Sequence, residues 1–155
     1  MSFCLCNANI SQFLIDMFNN NFTLEKLQNF SKNTMVDHLG IEFIEQGNDY
    51  IVAKMPVDQR TIQPMGLLHG GASVSLAETL GSIAATMVID HEKQHAVGLE
   101  INANHIKSAR EGFVYGKVQP LHIGKKTHVW EIHIRNEQNA LICVSRITMA
   151  IIDKK

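Results

Sequence analysis

The chain has 155 residues, 45% hydrophobic and 19% charged, which suits one soluble domain with its own core and argues against global disorder. Fourteen Lys and Arg against fifteen Asp and Glu leave a net charge of -1, no footprint for nucleic acid or an anionic membrane. Three sparse cysteines, Cys4, Cys6 and Cys143, argue against a disulfide framework and favour a reducing, cytoplasmic setting.

The N-terminal MSFCLCNANISQFLIDMFNNNF carries no Lys or Arg ahead of its apolar residues and makes a poor signal peptide. Residues 1–22 read as a mobile extension with two ordinary thiols, and without secretion the sequons at Asn9, Asn21 and Asn29 are only asparagine-rich sequence. From Thr23 the character changes. Thr23 is placed to cap a short helix bearing Leu24, Leu27 and Phe30, and the segment through Leu39 reads as a lid or packing helix. Two short strands follow, one with Ile41, Phe43 and Ile44, the other from Tyr50 to Met55, joined by a Gly47-Asn48-Asp49 turn.

Gly70 to Ile89 reads GGASVSLAETLGSIAATMVI, apolar on nearly every helical face, so the expectation is a core helix buried all round. Its Ser, Thr and Glu residues make it too polar for a membrane span. Four strand-like runs come next: Ala96 to Ile106, Gly112 to Leu121, Thr127 to Arg135 and Ala140 to Ile152. In the third, Trp130, Ile132 and Ile134 alternate with Val129, Glu131, His133 and Arg135, the period of a half-buried strand. The order β-β-α-β-β-β-β with short polar connections predicts an α+β fold, one long helix against a largely antiparallel six-stranded sheet.

Glu78 is the most informative residue. Between Arg60 and Asp90 no other side chain is formally charged, and a carboxylate in an apolar helix loses hydration unless something compensates. Such groups concentrate at functional sites. The loop Gln63-Pro64-Met65-Gly66-Leu67-Leu68-His69-Gly70-Gly71 runs straight into the helix, whose free N–H groups favour developing negative charge, as an oxyanion hole requires. Ser82 falls on the face of Glu78, four residues on. Glu78 itself lies eight residues past Gly70, about 12 Å at 1.5 Å per residue, which hints that two subunits share a site.

The run His91-Glu92-Lys93-Gln94-His95 matches H-E-x-x-H literally, but it falls in the polar turn after the helix rather than inside one, so no metal site is expected there. Cys143 reads as a mid-strand core residue. Dinucleotide, P-loop and G-x-S-x-G signatures are absent. A carboxylate site without cofactor still permits acyl transfer, through attack by Glu78 or by a water it activates.

The stretch MPVDQRTIQPMGLLHGGASVSLAETLGSIA, followed by VGLEINANHIKSAREGFVYGKVQPLHIGKKTHVWEIHI, strongly resembles hotdog-fold acyl-CoA thioesterases. Within them it looks like the PaaI-type branch that hydrolyses 4-hydroxybenzoyl-CoA, 1,4-dihydroxy-2-naphthoyl-CoA and related aryl or acyl thioesters. The likeness runs from about Thr23 to Ile152, so residues 23–155 are expected to form a single hotdog domain. The resemblance implies Glu78 as nucleophile or general base, the Gly70 amide and the Gln63 side chain on the thioester carbonyl, His69 orienting the reacting group or assisting thiolate departure, and Ser82 placing Glu78 or its water. It implies substrate contacts from Met65, Leu68, His105, Lys107, Ser108, Arg110, His122, Gly124 and Lys125, with Lys126 beside them, whose cations suit coenzyme A phosphates. Leu76, Leu80, Ile83 and Met87 are expected to wall the acyl pocket. No cofactor, metal, nucleic acid or membrane partner is implied; homodimers that pair into homotetramers are. A hotdog enoyl-CoA hydratase or dehydratase and a non-catalytic acyl-CoA-binding module are the competing readings.

Overall fold

The computed structural model describes residues 17–18 and 22–155; Cys4, Cys6, Asn9 and Asn21 lie outside them. Thr23 caps α1 (Leu24–Phe30) through its side chain, which accepts from the Lys26 N–H, and Thr34 caps the one-turn α2 (Met35–His38) in the same way. The segment through Leu39 is thus two short helices. Leu27 drives α1 onto the core, whereas Phe30 is 83% exposed. Phe18, inside the expected extension, is buried and stacks on Trp130 at 6.4 Å between ring centroids.

Six strands follow in the order β1 (Glu42–Gln46), β2 (Ile51–Pro56), β3 (Gln94–His105), β4 (Phe113–Ile123), β5 (Thr127–Asn136) and β6 (Leu141–Asp153). They form one sheet, β1-β2-β4-β5-β6-β3, antiparallel at every junction. Period-two patterning sets its faces: on β5 His128, Trp130, Ile132 and Ile134 are all buried, with Val118, Cys143, Ile147 and Met149 beside them. Burial pushes the Cys143 thiol above its ordinary pKa, as suits a core cysteine.

The long helix α3 (Gly70–Val88) lies across β2, β3, β4, β5 and β6, completing the hotdog architecture, an α+β fold. It is not buried all round. Leu76, Ala77, Leu80, Ala84 and Met87 face the sheet, while Gly71 is exposed and Ser75, Glu78, Thr79, Ser82 and Thr86 are half-buried. Apart from the buried Ser73, the polar residues of the helix are gathered on the stripe the sheet does not cover. Ser75, Thr79 and Thr86 satisfy their hydroxyls by donating to carbonyls one turn back at 2.8–2.9 Å. Glycines allow the helix to approach the sheet closely: a Cβ on Gly81 would meet Ile147 at 2.4 Å, and one on Gly116 would meet Leu80 at 2.6 Å. Among the described residues no helix is long and apolar enough to cross a membrane.

Candidate active site

The loop entering α3 is built around Thr61, buried at 1% exposure. Its hydroxyl donates to the Pro56 carbonyl at 2.7 Å and accepts the Asp58 N–H at 3.1 Å, while its carbonyl receives the His69 N–H at 2.8 Å. Between them Gln63 and Leu67 close a tight turn: the Gln63 N–H donates to Leu67 and the Gly66 N–H to Gln63, both at 2.8 Å. Gly66 sits at φ 70 there, a conformation that favours glycine. The Gln63 side-chain oxygen accepts the Met65 N–H, which leaves its NH₂ group as the outward donor.

A helix start leaves four N–H groups without intrahelical partners. Here three are taken: the His69 N–H donates to the Thr61 carbonyl at 2.8 Å, Gly71 donates to Nδ1 of His69 at 2.8 Å, and Ala72 donates to the His69 carbonyl at 3.0 Å. Among the described residues no acceptor takes the Gly70 N–H. His69, the N-cap of α3, therefore singles out one donor at the positive end of the helix dipole.

That donor opens onto a cleft of about 350 Å³ shared by Gln63, Leu68, Gly70, His105, Lys107 and Ser108, which the sequence singles out, and by Ser73 and Ile142, which it does not. Ser73 and Ile142 reach the cleft only through the packing of α3 beside β6. The His105 ring stands over Gly70 so closely that a Cβ on that glycine would meet its Nε2 at 2.7 Å.

Glu78 lies apart from this cleft. It is half-buried on α3, in no ion pair among the described residues. Ser82 donates to its Oε1 at 3.5 Å, and its carboxylate rests against Gly98 on the edge strand β3. His122 at the end of β4 and Gly124 and Lys125 in the β4–β5 turn lie away from the cleft; in register Ile123, His128, Met149 and Gly98 make one row across the sheet, so this turn belongs to the Glu78 end. Met65 is 74% exposed, and Arg110 is exposed beside the cleft loop. Leu76, Leu80 and Met87, expected to wall the acyl pocket, line none of the described clefts. They are fully buried against the sheet, and only Ile83 of that expected set is half-buried. No group of three or more metal-binding side chains gathers among the described residues; His91 instead packs edge-on against Phe22 at 5.1 Å. A larger groove of about 580 Å³ on the outer sheet face, floored by Lys117, Glu131, His133 and Arg135, shares no residue with either half of the site.

Residues 65–143, covering α3, Glu78 and the cleft residues other than Gln63, match the thioesterase superfamily. The chain belongs to that family. It is a hotdog-fold thioester hydrolase related to the PaaI and EntH-like enzymes. It is 53% identical over 130 residues to the 1,4-dihydroxy-2-naphthoyl-CoA hydrolase of Escherichia coli, an alignment spanning 84% of this chain and 95% of that one. To the proofreading thioesterase EntH of Cronobacter turicensis it is 50% identical over 129 residues, 83% of this chain and 93% of that one. A crystal structure of a thioesterase from Haemophilus influenzae superposes with a TM-score of 0.86 at 48% identity, covering 88% of this chain and 95% of the other.

Proposed function

We propose that the protein hydrolyses an acyl- or aroyl-CoA thioester to the free acid and coenzyme A, at sites that two copies of the chain build together. Glu78 supplies the carboxylate that attacks the thioester carbonyl or activates the water that does so. The Gly70 N–H and the Gln63 NH₂ stabilise the oxyanion that forms. The exposed cations Lys107 and Arg110, on the loop beside the cleft, suit coenzyme A phosphates.

The observation that carries this reading is the separation of the two halves. Carboxylate and oxyanion donors must both come within roughly 3–3.5 Å of one carbonyl group, yet along α3 they are about 12 Å apart. The outer edge of β3 supports the reading further. That strand is twelve residues long, at the end of the sheet, with Val97 42% and Leu99 64% exposed, and an unpaired apolar edge is a template for a second chain. Glu78 sits against this edge, so two-fold pairing through β3 would carry each carboxylate toward the partner's cleft.

Release of free thiol from a panel of aryl- and fatty-acyl-CoA esters is the test. The wild-type protein should turn over at least one class, and Glu78→Ala should lower kcat by on the order of 10³-fold or more with the fold intact. Turnover of the best substrate unchanged in Glu78→Ala would refute the assignment.

A further inference from the structure

Gly98 occupies a position where its backbone does not ask for glycine. The described glycines with positive φ are Gly40, Gly66 and Gly112; Gly98 is in ordinary strand conformation, paired with Met149. A glycine inside a strand weakens it, and it marks a bulge, a bend or the close approach of another group; here a bulge and a close approach coincide. The approaching group is Glu78. A Cβ built on Gly98 would stand 2.6 Å from Oε1, 3.5 Å from Cδ and 3.7 Å from Oε2 of the carboxylate, and these are its three nearest heavy atoms. The register shifts at the next step, from Gly98 opposite Met149 to Glu100 opposite Thr148, so Leu99 is an extra residue at the point where the carboxylate meets the strand. Bulges gather beside active sites, where they re-aim the chain.

We propose that Gly98 is a positioning residue for Glu78. Its missing side chain is the slot that lets the carboxylate lie against the β3 edge, and the slot, not the strand, is what the glycine serves. The inference rests on the reading of Glu78 as the reacting carboxylate. Because the atom in the way is the free end of a flexible side chain, a methyl group at position 98 should move the carboxylate and spare the fold.

Gly98→Ala is therefore expected to lower kcat about tenfold or more, since sub-ångström displacement of a reacting group is costly, with KM changed less than about threefold and with melting temperature and oligomer size unaltered. The deciding measurement is a double-mutant cycle with Glu78→Asp. That carboxylate is one methylene shorter and clears the added methyl, so Gly98→Ala in this background should cost less than about twofold further. An equal loss in both backgrounds, or undiminished kcat in Gly98→Ala, overturns the positioning role. Full activity in Glu78→Ala would overturn the catalytic reading instead; an inactive Glu78→Ala beside a fully active Gly98→Ala would overturn only the role of Gly98.

Discussion

Nδ1 of His69 accepts the Gly71 N–H at 2.8 Å, and this bond settles how the ring is used. With Nδ1 occupied as an acceptor, the proton resides on Nε2 in the neutral ring. One side chain thus caps the helix and keeps a second nitrogen as a donor.

The two duties of His69 separate by substitution. His69→Ala should cost about 1 kcal/mol of stability by freeing the Gly71 N–H, and His69→Asn, which caps as well, should recover it. Urea unfolding checks this. The Asn amide keeps an NH₂ donor, but on a shorter side chain that does not reach as far as Nε2 and cannot pass a proton to a leaving group, so kcat in His69→Asn should stay about tenfold or more below wild type although stability returns.

His128 gives the fold a defined acid sensitivity. It is 2% exposed with no partner for Nδ1, and burial, partly offset by a hydrogen bond with the Gly124 backbone, holds its pKa below 6.5. The unfolded chain then takes up the proton first as pH falls. Its contribution is fully present above about pH 7.5 and is lost as pH drops through the unfolded value of about 6.5 toward the lower folded one. Unfolding free energy should therefore fall more between about pH 7.5 and 5.5 in wild type than in His128→Leu, and an equal fall in both would contradict the assignment.

The close approach of α3 to the sheet predicts a stability effect without a chemical one. A Cβ on Gly81 would meet Ile147 at 2.4 Å in a packed interior, so Gly81→Ala should destabilise by about 1–3 kcal/mol. Its better helix propensity returns only about 1 kcal/mol of that. A denaturant midpoint no lower than wild type would contradict the tight contact.

Much of this was legible in the sequence, and the residues show why. Glu78 stands out because charge is rare in an apolar helix, and the Gln63–Gly71 loop because glycines and a capping histidine precede that helix. β5 declares itself by period-two alternation, and β4 and β6 by apolar runs between short polar breaks. Strand order does not follow from pattern, so β3 as an edge, and Gly98 against Glu78, emerge only when β3 pairs outside β6. Ser73 and Ile142 join the cleft through long-range packing that local sequence does not encode. The half-open face of α3 was hidden because its Ser and Thr residues satisfy themselves on their own backbone and so look compatible with full burial.

Subunit mixing probes the shared site most directly. Glu78→Ala and Gln63→Ala each disable one half, and each alone should be nearly inactive. Co-refolded in equal amounts, random two-fold dimers should regain about a quarter of wild-type thioester hydrolysis, since half are mixed and each mixed dimer holds one intact site. Activity that stays at the level of the two separate variants would contradict a site assembled from two chains.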